Sequence, residues 1–545
     1  MQDADRGYYN GTIQTMDAGE ATADAIALAG DRVLAAGETP AMRALAARDA
    51  IQTDLRGRTV IPGLIDSHNH MLGTGLNAQY VDLSGAATVN ELLAALSERA
   101  AQTRAGVWVI TSSRWHESQL TERRFPTRGE LDAAVPGNPV LIRRGGHNVV
   151  VNSASLALAG VDETTVDPPG GTYVRDADDK LTGHVIGSPA YSRITGLLPA
   201  PTQQTLLDAI RRATRLYNAA GLTGVIEPGL GPSEFRAYQQ LHEQGELTVR
   251  TVMMPRISPG TTEADLQRAV AMLEALPLRT NFGDNLLKTG GIKIVADGGV
   301  EANFLRDPYA YADDPAAPRG KPQVSPENLG AFCQVAARLG WQVGVHCVGD
   351  AAIDLVLDAF VAADRVCSVA ELRWTLIHMT LARPEHFDRA RALRLVLAVQ
   401  QPLIYALGAG WVKYWGEERA SRGSPMRAYV ESGLAVGGGS DSPVTPYQPL
   451  LGMQSSVTRA TQLAGVLGPE WGITPAQALR LYTTGSACCS FDETRRGSLE
   501  PGKLADLVVL GADPLRVNPD EIAAIPVEQT LVGGRVVYDG VGGGA

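Results

Sequence analysis

Short apolar runs alternate with longer helix-like segments through the middle of the chain, and this alternation predicts a parallel α/β sheet. The run 343–346 is followed by apolar residues at 353, 356, 357 and 360, which is the spacing of one helical face. We expect Asp350 to be the N-cap of that helix. Thr474 and Gln477 flank Pro475 as a capping box would, so a second helix is predicted over residues 476–482.

The two ends of the chain have a different pattern. Residues 1–60 and the last 50 residues contain short apolar stretches separated by turns, which predicts antiparallel strands that belong to one small domain. Residues 73–205 are less regular. We interpret them as an insertion over the strand ends of an α/β barrel.

Composition excludes several classes of function. The 545 residues carry 48 Lys and Arg against 59 Asp and Glu, a formal net charge of −11, so nucleic acid and anionic membranes are not expected partners. The five cysteines form no CxxC spacing. The N-terminus lacks the pattern of a secretory signal and no run of 18 apolar residues occurs, which predicts a cytoplasmic protein. The oligomeric state stays open, a homo-oligomer included.

Imidazoles and a carboxylate stand where four apolar runs end. His68 and His70 form an HxH pair, whose side chains point to the same side of an extended chain. His346, His378 and Asp441 each end another run, and parallel α/β barrels place catalytic groups at that edge. Nitrogen and carboxylate ligands together predict one or two divalent ions, Zn²⁺ first and Mn²⁺ or Co²⁺ as alternatives.

Lys293 interrupts a fifth apolar run, 291–298. A buried ammonium group is costly without a partner, so one interpretation is a lysine that reaches the surface or pairs with Asp297. The alternative is a lysine carboxylated by carbon dioxide, which becomes a carboxylate able to bridge two metal ions.

The sequence resembles the metal-dependent amidohydrolase superfamily, and amidohydrolase family 3 most closely. Segments that carry the resemblance run nearly from end to end of the chain. They are PGLIDSHNH, SRWHESQL, VLIRRGGHNVVVNSASLALAG, GIKIVADGG, VGVHCVGDAAIDLVLDAF, LRWTLIHM, GSDSPV and RGSLEPGKLADLVVL.

The resemblance implies a (β/α)₈ barrel over residues 60–489, with the insertion after its first strand, and a β-sandwich built from residues 1–59 and 490–545. It also implies a ligand set. His68, His70 and Asp441 would bind the more buried metal, His346 and His378 the second, and carboxylated Lys293 would bridge the two.

The function that follows is hydrolysis of a carbon–nitrogen bond in an amide, formamide or carbamate by a metal-activated hydroxide, with Asp441 as base and then acid. Esters, lactones or ring deamination are alternatives, because the same chemistry accepts several leaving groups. A non-catalytic scaffold protein is disfavoured, because all six expected ligand positions hold competent residues.

Five residues are candidates for contact with a small-molecule substrate, and each has a structural alternative. The alternatives are core packing for Trp115, a structural hydrogen bond for His147, and a packed helix for the aromatic cluster that holds Tyr405 and Trp411. Glu227 ends a strand-like run and could touch metal or substrate. The aromatic residues favour a fairly apolar or aryl-bearing substrate. His242 and His386 stand among charged residues and are expected to be solvated.

Overall fold

The computed structural model describes residues 3–113, 115–144, 148–168, 171–310 and 319–540. The chain divides into two compact units, residues 1–71 with 214–545 and residues 72–213. Among the described residues, no helix is both long and apolar enough to cross a membrane.

Parallel strands form the centre of the larger unit. They are arranged in two sheets. The four-stranded sheet contains, in order, Leu287–Thr289, Arg250–Pro255, Leu222–Leu230 and Leu64–Asp66. The five-stranded sheet contains Ile292–Val295, Val343–Cys347, Thr375–His378, Val396–Gln400 and Ala435–Gly439.

The two parallel sheets are linked at both sides. A parallel bridge joins Arg256 to Lys293. Beside the last strand, the backbone N–H of Ser67 donates to the carbonyl of Gly438 at 2.9 Å, and Asp441 donates to the carbonyl of His68 at 2.8 Å. The first and last parallel strands are therefore neighbours, although residues 67 and 438 are far apart in the chain.

Both chain ends contribute strands to a six-stranded sheet. It contains Arg535–Asp539, Val527–Val532, Leu507–Leu510, Thr59–Pro62, Thr12–Gln14 and Thr22–Ala23. A four-stranded sheet from the N-terminal part alone contains Arg32–Gly37, Ala25–Ala29, Ala4–Tyr9 and Ala46–Asp54. The prediction that the terminal strands are all antiparallel is wrong, since Thr12–Gln14 pairs in parallel with Thr59–Pro62 and Ala4–Tyr9 pairs in parallel with Ala46–Asp54.

The larger unit contains twelve further α-helices among the described residues, of which the first packs against the N-terminal four-stranded sheet. They are Thr39–Ala44, Pro232–Glu243, Glu263–Ala275, Pro326–Arg338, Asp350–Asp364, Pro384–Ala392, Leu403–Trp415, Glu417–Arg422, Met426–Glu431, Pro449–Thr458, Pro475–Arg480 and Ser486–Cys489.

The smaller unit has its own sheet and its own apolar core. The sheet contains Thr172–Arg175, Leu181–Ile186, Asn148–Val151, Val140–Arg144 and Val109–Ile110. Its helices are Val89–Ala101, Arg128–Ala134, Ser153–Leu158 and Ser188–Thr195. Two further helices, Met71–Asn77 and Gln203–Ala219, contain the points where the chain passes from one unit to the other.

Two local predictions have different outcomes. The capping box at Thr474 is confirmed, with its side chain accepting from the Gln477 N–H at 3.3 Å, but the α-helix passes into a π-helical turn, Leu481–Gly485. The prediction that Asp350 is an N-cap is wrong by one residue. Gly349 is the N-cap, and the Asp350 carboxylate instead accepts from the backbone N–H of Arg306 at 2.9 Å.

Candidate metal centre

His68, His70 and Asp441 meet at one point. The Nε2 atoms of both histidines lie 3.3 Å from the same oxygen, Oδ1 of Asp441. The ligand atoms of the three residues are all within 4.8 Å of one another, as a shared metal ion requires. The HxH pair follows the first parallel strand and Asp441 follows the last, so the adjacency of these strands brings the three residues together.

His346 and His378 extend this cluster. Their ring centroids are 4.4 Å apart, and the ring of His378 lies 5.0 Å from that of His68. The two histidines lie close together because each stands at or next to the end of its strand, and these strands are neighbours in the five-stranded parallel sheet. The structure therefore places all four predicted histidine ligands and Asp441 in one continuous group.

Two of these residues have an unusual backbone conformation, which sets the direction of their side chains. His378 has φ 72° and Asp441 has φ 60°, in the left-handed region that residues other than glycine rarely adopt. Such a conformation costs on the order of 1–3 kcal/mol and persists only where the surroundings impose it. At both positions the chain leaves a parallel strand.

Three of the imidazoles are held neutral. Burial, with the charge of Lys293, lowers the pKa of His68 and of His346 to about 3. Burial and the neighbouring His346 hold the pKa of His378 well below its usual value. A neutral imidazole keeps the lone pair with which histidine binds a metal ion.

Asp441 is held in its charged form. Burial alone would raise its pKa, but hydrogen bonds from His68 and His70 hold that pKa well below the usual value. For His70, burial acts to lower the pKa, and the hydrogen bond and charge of Asp441 together with the charge of Glu227 outweigh it and raise the pKa.

Glu227 lies beside the HxH segment, at 2% exposure. Its Oε2 accepts a hydrogen bond of 2.5 Å from the backbone N–H of Met71, the residue that follows His70. Glu227 therefore holds the chain immediately after the histidine pair, and its charge acts on His70.

Lys293 is buried, at 4% exposure, so the interpretation that it reaches the surface is wrong. Burial lowers its pKa to about 7, against the opposing effect of the Asp441 carboxylate. Asp297 is engaged elsewhere. Its carboxylate accepts from the backbone N–H groups of Val348, Gly349 and Phe304, and it lies 3.4 Å from Nε2 of His346.

Asp66 joins the two strands that carry His68, His70 and Asp441. It is fully buried and accepts hydrogen bonds from the His68 N–H at 3.1 Å, from Asn69 Nδ2 at 2.8 Å, and from Ser440 Oγ at 2.6 Å. Asn69 also donates to Ser440 Oγ at 2.9 Å. We call Asp66, Asn69 and Ser440 the strand clamp. It fixes the HxH segment against the segment that carries Asp441.

The donor set fits a divalent ion. Nδ1 of His68 and Nδ1 of His378 are buried and have no hydrogen-bond partner among the described residues. The ion itself would be bound through Nε2 of His68 and Nε2 of His70, which lie 3.3 Å from the same Asp441 oxygen. Neutral imidazoles with one carboxylate are a ligand set typical of zinc.

Predicted substrate-contact residues have different surroundings. Trp115 is 5% exposed in the apolar core of the smaller unit, where its Nε1 donates to the carbonyl of Arg143 at 2.7 Å. Trp411 is 1% exposed and stacks on Trp415 with ring centroids 5.2 Å apart. These two placements favour packing. Tyr405 is half-buried on the helix Leu403–Trp415, and His147 lies outside the described residues.

The prediction that His386 is solvated is wrong. It is fully buried, and its Nδ1 accepts from the backbone N–H of Arg383 at 3.1 Å at the start of the helix Pro384–Ala392. The charged neighbours that suggested exposure are its partners, since its Nε2 lies 3.3 Å from Asp354.

Sequence reasoning missed the strand clamp. It also missed that Asp297 accepts hydrogen bonds from the backbone after His346. Asp66 and Ser440 stand within the motifs PGLIDSHNH and GSDSPV, so their place beside ligand residues was visible. Their contact was not, because 374 positions separate them.

Comparisons with known proteins agree with this geometry. Residues 53–538 match the model of the amidohydrolase family. The chain is 30% identical over 501 residues to the protein YtcJ of Bacillus subtilis (strain 168), covering 90% of each chain. It is 29% identical over 540 residues to the N-substituted formamide deformylase of Arthrobacter pascens, covering 98% of each. An uncharacterized metal-dependent hydrolase from Pyrococcus horikoshii OT3 superposes with a TM-score of 0.74 at 26% identity, covering 94% of this chain and 99% of that one.

Proposed function

The chain belongs to the amidohydrolase family, and we propose that it hydrolyses a carbon–nitrogen bond in an amide, formamide or carbamate of an apolar or aryl-bearing small molecule. One observation carries the proposal: two imidazoles converge on the same Asp441 oxygen, at 3.3 Å each. The relative that cleaves N-substituted formamides, by its name, supports the choice of bond.

In this proposal the two parallel sheets are the two parts of a (β/α)₈ barrel over residues 60–489. Residues 1–59 and 490–545 form a β-sandwich. The adjacency of the first and last parallel strands supports the barrel, as do the two glycines that separate Leu287–Thr289 from Ile292–Val295, which allow these two strands to count as one.

His68, His70 and Asp441 would hold one divalent ion, zinc by the chemistry of the ligands. His346 and His378 would hold a second. Carbon dioxide would add to the Lys293 amine, which loses a proton, to give a carboxylate between the two ions. The burial of Lys293 and its pKa of about 7 support this step, because the neutral amine is the form that reacts.

A divalent ion held by these residues would supply a water molecule of lowered pKa and would polarise a substrate carbonyl. In this mechanism Asp441 carries out the proton transfers. It accepts a proton from the attacking water and delivers it to the departing nitrogen, so the carboxylate is regenerated at the end of the cycle. The strand clamp and Glu227 hold the histidine pair in place during this exchange.

The Asp441→Asn variant tests the role of that carboxylate. An amide cannot accept the proton, and general acid–base catalysis contributes on the order of 10²–10⁴-fold, so we expect kcat to fall by that factor. Metal content, measured by mass spectrometry, should stay near that of the wild type because the amide oxygen can still bind. Asp49→Asn, an exposed site outside the cluster, is the matched control.

Substrate class is tested by assaying aryl and alkyl amides, formamides and carbamates beside esters, lactones, cyclic ureas and aminated rings. Activity confined to esters, lactones or ring deamination would replace the proposed bond. Absence of bound metal, with no activity after addition of Zn²⁺, Mn²⁺ or Co²⁺, would favour a non-catalytic scaffold protein. Full activity of Asp441→Asn would contradict the mechanism alone.

A further inference from the structure

A cavity of about 870 Å³ lies within the smaller unit, and residues 73–205 supply all of its described lining. None of the metal-ligand candidates lines it. Its walls include the half-buried aromatic rings of Tyr80 and Trp108 and the side chain of Leu198. A cavity of this size and lining suits a small organic molecule with an apolar body.

The charge in this cavity is positive. Arg99 and Arg143 line it, and its described lining includes no Asp or Glu. The whole chain, in contrast, has a formal net charge of −11. Arg99 is engaged, since its Nη1 donates to the carbonyl of Gln79 at 2.8 Å.

Arg143 differs from Arg99 because, among the described residues, its guanidinium group donates no hydrogen bond. Its Nε is buried and has no hydrogen-bond partner, and among the described residues its guanidinium group forms no ion pair. The group lies over the Tyr80 ring, with Cζ 5.1 Å from the ring centroid. A buried Nε–H without a partner is costly, and a carboxylate ligand could accept from it together with a neighbouring Nη–H.

From the cavity and this guanidinium group, we propose that the smaller unit binds an amphipathic organic carboxylate. The ligand carboxylate accepts hydrogen bonds from the Arg143 guanidinium group, and the apolar or aryl body lies against Tyr80, Trp108 and Leu198. A guanidinium group suits this role because its planar donors match a carboxylate. This site is independent of the proposed hydrolysis, which uses residues of the larger unit.

Isothermal titration of the full-length protein with three probes tests the proposal without any variant. The probes are 1-naphthaleneacetate, the uncharged 1-naphthaleneethanol, and inorganic phosphate. We expect the first to bind about tenfold or more tightly than either of the others, because only it offers both a carboxylate and an aryl body. Equal binding of the alcohol would overturn the need for charge, and equal binding of phosphate would overturn the role of the apolar walls.

Variants then locate the site. Arg143→Gln should weaken naphthaleneacetate binding about tenfold, and Arg143→Lys should give an intermediate value because one ammonium replaces the guanidinium group. Arg104→Gln removes the same charge from an exposed position outside the cavity and should bind as the wild type does. The Tm of Arg143→Gln should change little, since the guanidinium group has no ion pair to lose and only its contact with the Tyr80 ring is removed. Unchanged binding in Arg143→Gln would place the carboxylate elsewhere, for example on the metal centre, and would overturn the proposal.

Discussion

At the scale of single residues, Asp66 lies outside the predicted ligand set, and its hydrogen bonds hold together two segments that carry members of that set. Its two oxygens accept from His68, Asn69 and Ser440, and a Cβ at Gly439 would lie 2.6 Å from its Oδ1. The strand clamp is thus closely packed as well as hydrogen-bonded. Replacing its side chains by apolar ones would leave several buried hydrogen-bond donors unsatisfied.

We predict that Asp66→Asn destabilises the protein by on the order of 2–3 kcal/mol and lowers its metal content. The amide would turn an N–H₂ group toward donors, which leaves buried groups unpaired. Urea unfolding and metal analysis measure the two effects. Ser440→Ala should have a smaller effect of the same kind, and the exposed Asp49→Asn none. An Asp66→Asn protein with wild-type stability and metal content would show that the strand clamp does not position the site.

At the scale of secondary-structure elements, the residues at the ends of strands were predictable from the sequence. Contacts between side chains far apart in the chain were not. His346, His378 and Asp441 each end an apolar run, so local sequence was sufficient to place them at one edge. The burial of His386 depends on Asp354, 32 residues earlier, which sequence periodicity cannot reveal.

A buried ionic cluster joins the strand Leu287–Thr289 to the segment after the last helix. Lys288 Nζ donates to Asp492 Oδ1 at 2.8 Å, and Arg496 Nη2 donates to Asp492 Oδ2 at 2.8 Å. Burial acts to raise the pKa of Asp492, but the charges of Arg496 and Lys288 outweigh it and lower that pKa to about 2. Burial also lowers the pKa of Lys288, to about 8, so the lysine titrates in the alkaline range and Asp492 alone responds to acid.

Asp492 should therefore contribute stability that depends on pH. Its folded pKa is below its unfolded value of 3.8, so the contribution is complete above about pH 4 and is lost as pH falls toward 2. The shift corresponds to about 2 kcal/mol. We expect Asp492→Asn to reduce the difference in unfolding free energy between pH 7 and pH 2.5 by about that amount, measured in urea. The exposed Asp49→Asn should keep the wild-type difference, and an unchanged difference in Asp492→Asn would contradict the assignment.

At the scale of the whole molecule, the six-stranded sheet contains strands from both chain ends. That the two ends form one small domain stays a prediction. It rests on the pattern of short apolar stretches, which is a local periodicity. The attachment of the six-stranded sheet to the parallel strands was not visible. It includes the pair Arg250 and Asp506, which are 256 residues apart in the chain.

Arg250 and Asp506 form a bidentate pair with distances of 2.7 and 2.8 Å, and both side chains are buried, at 8% and 4% exposure. Asp506 also accepts from the backbone N–H of Gly533 at 2.8 Å. Removal of one partner would leave a buried charge, so Arg250→Met should lower the free energy of unfolding by about 3–5 kcal/mol.

The double variant Arg250→Met with Asp506→Leu distinguishes the penalty of an unpaired charge from the value of the pair itself. Replacing a buried pair by apolar side chains of similar volume is often neutral, so we expect the double variant to recover most of the stability that Arg250→Met loses. Urea unfolding of the two single variants and the double variant completes the cycle. If the double variant is as unstable as Arg250→Met, then geometry specific to the ion pair holds the six-stranded sheet to the parallel strands. If Arg250→Met is as stable as the wild type, the pair does not link them.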